Sequence, residues 1–130
     1  MIDPARARRF ARDWIDAWNA RDLERILAHY RNDFEMTSPL AVERLGAPDG
    51  KVRGKQQLRS YWQPSLEGQP PLEFELIDVL AGVDSITLYY RNVGRRVVAE
   101  TLWFDAAGKA VRGASQWSVL DQRLASRAES

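Results

Sequence analysis

Glu100 is the residue whose surroundings imply chemistry. It lies in the run Val97-Val98-Ala99-Glu100-Thr101-Leu102-Trp103-Phe104 and shares its parity with Val98, Leu102 and Phe104. Alternate residues of a strand face one side, so its carboxyl is expected to enter an apolar interior. A carboxylate there is costly unless it is hydrogen-bonded, ion-paired or protonated, and burial raises its pKa. A carboxyl that titrates near neutrality serves as a general acid or base. The competing reading is structural: Arg96 or Arg112 pairs with it, or it makes a hydrogen bond across the sheet.

A second set is aromatic: Trp14, Trp18, Tyr30, Tyr61, Trp62, Tyr89, Tyr90, Trp103 and Trp117. Any one of them alone reads as core. Together, so many rings with a polar tip suit a lined pocket, because buried indole and phenol groups seek partners. His29 sits beside the apolar stripe of the second helix and is expected to be partly exposed. Ser38 has no evident base beside it, and Asp33 reads as a turn residue.

The 130 residues include no cysteine and one histidine. Disulfides, thiolate catalysis and cysteine-ligated metals are excluded, and a multi-histidine metal site is impossible. No metal and no cofactor are expected, since glycine-rich phosphate loops and HExxH patterns are also missing. Nineteen basic against eighteen acidic residues leave a net charge of +1, which offers no footprint for nucleic acid. No apolar run is long enough for a membrane span, and the cytoplasm is the default expectation.

The elements that must position these groups start with a helix capped by Asp3, with Pro4 at its first position. Phe10, Ala11, Trp14, Ile15 and Trp18 form its stripe, flanked by the i,i+4 pairs Arg9–Asp13 and Arg12–Asp16. A second helix starts at Asp22 and carries Leu23, Ile26, Leu27 and Tyr30. Phe34, Met36 and Ser38 alternate as a strand that Pro39 ends. Residues 40–54, with Gly46, Pro48, Gly50 and Gly54, read as a loop. A third helix, from about Lys55, buries Leu58, Tyr61 and Trp62 until Pro64 interrupts it. Four strands follow: Leu72 to Ala81, Ser85 to Asn92, Arg95 to Phe104 and Ala110 to Leu120, with short hairpin turns and a frayed tail from Gln122. Three N-terminal helices on a curved, mostly antiparallel sheet make an α+β domain. One domain spans 1–130, with its core at about 6–120. Both parities of the strand through Glu100 are apolar, so a second copy is expected to cover the outer sheet face.

Trp14-Ile15-Asp16-Ala17-Trp18-Asn19-Ala20-Arg21-Asp22-Leu23, Leu27-Ala28-His29-Tyr30-Arg31-Asn32-Asp33-Phe34, Ser38-Pro39, Gly54-Lys55 and Phe104-Asp105-Ala106-Ala107-Gly108-Lys109 follow one another in an order that resembles the nuclear transport factor 2-like superfamily. Within it, the chain is similar to the SnoaL-like and ketosteroid-isomerase branch, over roughly residues 6 to 120. The resemblance implies a cone-shaped α+β barrel, usually dimeric, with a deep pocket between helices and sheet. Ketosteroid isomerases carry a proton-shuttling aspartate where this chain has Ser38, and an oxyanion-donating tyrosine where it has Trp14. Their second acid falls on Glu100. With two of the three groups changed, steroid isomerisation by that route is not expected. Pocket-lining positions carry over to Tyr30, Tyr61, Trp62, Val98, Ser115 and Trp117.

The resulting expectation is a small hydrophobic ligand held by Trp14, Tyr30, Ser38, Tyr61, Trp62, Val98, Ser115 and Trp117. In a cyclase- or isomerase-type reading, Glu100 is the acid/base and Trp14 or Tyr30 donates to an enolate-like oxygen. The alternative is a non-catalytic binding or dimerisation module of the same fold.

Overall fold

Asp3 and Pro4 open the first helix in the computed structural model, which describes residues 1–92, 94 and 96–120. The Asp3 carboxylate accepts from the Arg6 backbone N–H at 3.1 Å and starts α1 (Pro4–Asn19). Its buried face alternates small and large side chains: Ala7, Ala11, Trp14, Ile15, Ala17 and Trp18. Asp22 caps the short α2 (Leu23–Leu27) in the same way, accepting from the Arg25 backbone N–H. The Arg9–Asp13 pairing expected along α1 does not form among the described residues. Asp13 instead accepts from Arg25 at 2.5 Å and contacts His29 Nε2 at 2.6 Å, which ties α1 to the segment around α2. Bridging two elements with one carboxylate orders more structure than a pair along one exposed helix face.

Tyr30 lies at the start of β1 (Tyr30–Thr37) rather than on a helical stripe. Ser38 then caps α3 (Pro39–Arg44), its hydroxyl accepting from the Leu40 backbone N–H at 3.3 Å. After α3 comes β2 (Lys51–Arg53), antiparallel to β1. Residues 40–54 therefore hold a helix and a strand, not only loop. The next helix, α4 (Gly54–Glu67), passes through Pro64 and ends at Glu67. Pro64 sits late in α4, so the donor it removes perturbs only the final turns.

The second half is a meander of β3 (Glu75–Ala81), β4 (Ser85–Arg91), β5 (Val97–Phe104) and β6 (Ala110–Trp117). β3 starts later and β6 ends earlier than the sequence suggests. Val93, Arg95 and the tail from Gln122 lie outside the described residues. The sheet order is β2-β1-β6-β5-β4-β3, antiparallel throughout except where β1 runs parallel to β6. That one pairing brings the N-terminal half onto the meander. The sheet curls without closing, leaving β2 and β3 at its edges. The α+β architecture stands as expected, with α3 added to the three helices read from the sequence.

On the inner face, Ile86, Leu88 and Tyr90 of β4 and Val98, Glu100 and Leu102 of β5 are all buried. Gly113 of β6 is required there by close packing. A Cβ at this position would lie 2.9 Å from both Leu102 Cδ2 and Phe34 Cζ. No helix among the described residues is long and apolar enough to cross a membrane.

Candidate functional site

Glu100 is 4% exposed and points to the inner face, as its strand parity requires. Its neighbour in the ladder is Ser115 on β6, whose hydroxyl donates to Glu100 Oε1 at 2.5 Å. No ion pair to Glu100 forms among the described residues. Arg96 instead lies over the Trp117 ring at 4.1 Å, and Arg112 over Trp103 at 4.3 Å. Of the two structural readings, arginine pairing does not form among the described residues, whereas the hydrogen bond across the sheet does, through Ser115. Burial pushes the Glu100 carboxyl up to about 7, and the Ser115 hydrogen bond only partly offsets this.

The carboxyl lies on the wall of a cavity of about 60 Å³ between helices and sheet. Trp14 and Trp18 reach it from α1, Tyr61, Trp62 and Ser65 from α4, and Leu40 and Arg44 from α3. Tyr90, Val98, Ser115 and Trp117 come from the sheet, with Met36 and Ser38 from β1 and its end, and Leu72 and Phe74 closing one side. The rings form a continuous cluster: Trp18 meets Trp62 edge-on at 5.1 Å, and Phe74 lies 4.5 Å from Tyr90. The volume decides ligand size. A cavity that takes benzene measures about 150 Å³, so this one admits a molecule of few heavy atoms and excludes a polycycle without rearrangement of the wall.

Of the residues expected from sequence to hold a ligand, Trp14, Ser38, Tyr61, Trp62, Val98, Ser115 and Trp117 line this cavity together with Glu100. Tyr30 does not. It is 1% exposed, and its hydroxyl accepts from the Trp14 indole N–H at 2.9 Å. This contact also corrects the proposed oxyanion donors. An indole has a single N–H, and that of Trp14 is taken by Tyr30, while Tyr30 itself stands behind the wall. The donors on the wall are different. The Trp18 indole N–H is buried without a hydrogen-bond partner among the described residues. Ser38 Oγ accepts from Tyr61 Oη at 2.9 Å and from Leu40, which leaves its own proton to donate. Tyr90 is buried on the same wall, and burial followed by the Glu100 charge pushes its phenol well above the ordinary 10.

Arg44 and Ser65 are wall residues that sequence reasoning missed. The Arg44 guanidinium donates to Ser65 Oγ at 2.7 Å and to the Tyr61 carbonyl at 3.4 Å. Both were hidden by reading 40–54 as loop and ending the third helix at Pro64. Tyr90 and Trp18 had a usable signal: Tyr90 shares parity with Leu88, and Trp18 lies on the stripe of Trp14. Ser38 and Ser115 also border an outer groove of about 280 Å³ with Pro39, Val42, Pro48, Asp49 and Gly50. His29 is held outside the cavity by Asp13 and Phe10. No cluster of metal-ligating side chains exists among the described residues.

The sequence matches the model of the SnoaL-like domain over residues 11–127. No curated protein matches it. Among solved structures, a SnoaL-like protein of unknown function from Burkholderia thailandensis is 43% identical with a TM-score of 0.88, the match covering 91% of this chain and 98% of that one. AclR, a candidate hydroxylase from Streptomyces galilaeus, is 20% identical with a TM-score of 0.70, covering 95% and 98%. A candidate ketosteroid isomerase from Kribbella flavida is 17% identical with a TM-score of 0.65, covering 88% and 79%. The last two are similar in fold.

Proposed function

The chain belongs to the SnoaL-like domain family, and from that premise we propose that it is a cofactor-independent acid/base enzyme, in which Glu100 moves a proton next to a carbonyl of a small substrate during an isomerising or ring-forming step. The observation that supports this reading most is the placement of Glu100: a buried carboxyl on a cavity wall, held by one hydroxyl and unmatched by a cation among the described residues. Carboxyls kept for structural reasons are normally paired when buried. Its titration near 7 populates both the acid and the base at neutral pH. Charge developing on a substrate oxygen would meet the Trp18 N–H or the Ser38 hydroxyl, both donors of the same wall. The replaced positions Ser38 and Trp14 separate this chemistry from that of standard ketosteroid isomerases.

We infer also that two copies pair through the outer sheet face. Val97, Ala99 and Trp103 face outward from β5 only half-buried, and the neighbouring Tyr89 is 39% exposed. Apolar and aromatic groups on an open sheet face favour a second protein surface.

The test is proton exchange at carbon next to the carbonyl of small ketones and oxo acids, followed by NMR in D2O. The wild type is expected to exceed the buffer rate, and Glu100→Gln to fall by about 10²- to 10⁴-fold with its fold intact. A glutamine variant as active as the wild type would remove Glu100 from the chemistry.

A further inference from the structure

Two hollows share part of their wall. Ser115 lines the inner cavity beside Glu100 and also borders the outer groove, with Thr37, Pro39, Val42 and Gly50. The sheet explains why. β1 and β6 stay paired up to Thr37 and Ala114, after which Ser38 turns the chain into α3. β6 runs on to Trp117, so Ser115 has β5 on one side, where it pairs with Glu100, and the groove on the other.

The two paired residues differ in exposure: Glu100 is buried, and Ser115 is half-buried. Ser38 borders both hollows as well, but it is engaged elsewhere, accepting from Tyr61 and capping α3. Ser115 is the residue that touches the acid, at 2.5 Å. Tyr30, Tyr61 and Tyr90 sense the Glu100 charge, yet none of them hydrogen-bonds to it among the described residues.

We propose that Ser115 is the proton path of Glu100: protons pass between the carboxyl and solvent in the outer groove through the Ser115 hydroxyl. This rests on the acid/base reading of Glu100 and adds how that acid is recharged while a substrate fills the cavity. A hydroxyl holds one proton to give and two lone pairs to receive one, so it passes a proton on without net change. Inward, a hydronium ion in the groove protonates Ser115 Oγ as the proton already there moves to Glu100 Oε1. Outward, Glu100 protonates Ser115 Oγ, and the former hydroxyl proton leaves to water. Each O–H bond formed is matched by one broken, and neither direction needs an oxidant or a further reactant. Proton transfer at a positioned group requires a hydrogen-bonded contact, direct or through one intermediate, and the Ser115 hydroxyl is the contact Glu100 has.

The rate at which Glu100 gains its proton can be measured without any substrate. Line shapes of the Glu100 carboxyl carbon at its titration midpoint give the exchange rate. Division by the proton concentration there gives a protonation rate constant, which a displaced midpoint alone leaves unchanged. In the intact chain, Ser115→Ala is expected to lower this constant several-fold, and Ser115→Thr, which keeps the hydroxyl, to restore it. Val42→Trp, once NOEs place its indole against Ser115, is expected to lower the constant by closing the groove. An alanine variant as fast as the wild type, or a threonine variant as slow as the alanine one, would overturn the hydroxyl path. An unaltered constant in Val42→Trp would overturn the groove as the proton source. Deuterium exchange of small ketones keeps the two readings apart. Exchange lost in Glu100→Gln, with the constant unaltered in Ser115→Ala, retains the acid and overturns its path. A constant lowered by Ser115→Ala, with exchange indifferent to Glu100→Gln, retains the path and overturns the acid/base role.

Discussion

At the scale of single residues, Glu100 couples function to stability. An unperturbed glutamate titrates near 4.5, and this one is raised to about 7 by burial. Below about 4.5 the carboxyl is protonated in both the folded and the unfolded chain. Between there and about 7 the unfolded chain releases its proton and the folded chain keeps it, so rising pH favours unfolding. Above about 7 both are ionised and the loss is complete, at about 3 kcal/mol from the size of the displacement. Denaturation at a series of pH values is expected to show stability falling across this window. Glu100→Gln is expected to flatten that fall and to match or exceed the wild type in stability at high pH. A wild-type curve that rises through the window would contradict the burial of the carboxyl. Ser115→Ala removes the hydroxyl that favours the charged form, so it is expected to move the midpoint still higher. Glu100 was legible in the sequence because strand parity alone states which side a residue faces. The donors were not, because which hydroxyl the Trp14 indole meets depends on where Tyr30 arrives in space.

At the scale of elements, the short helix α3 explains most of what was missed. Ser38-Pro39 repeats the pattern of Asp3-Pro4, a capping side chain followed by proline at the first helical position. By local pattern the first looks like a strand end and the second like a helix start. Six residues give too little periodicity to decide, and the β1–β2 pairing that anchors the segment is invisible to local pattern. Arg44 is hidden from a local reading for this reason, and Ser65 because α4 continues past Pro64. Ser38 holds the junction twice, through the α3 cap and through Tyr61. Ser38→Ala is expected to cost about 1 kcal/mol or somewhat more in urea denaturation. Gly113→Ala would push a methyl group against Leu102 and Phe34 in the packed interior, at an expected cost of about 1–3 kcal/mol. Neutral behaviour of the alanine variant would show that the core relaxes around β6.

For the molecule as a whole, the meander and the helical entry follow from turn residues and periodicity, which is why the α+β class could be read directly. The parallel contact of β1 with β6 could not, since it joins strands separated by most of the chain. That contact closes the cavity around Glu100, so the site exists only in the assembled fold. The outward residues of β5 lead to an expected dimer in sedimentation at micromolar concentration, about 30 kDa against 14.9 kDa for one chain. A species of single-chain mass would remove the proposed pairing. The buried acid is tested most directly by the pH titration of the Glu100 carboxyl carbon, followed by ¹³C NMR. A midpoint near 7 is predicted; a midpoint near the ordinary 4.5 would contradict the account.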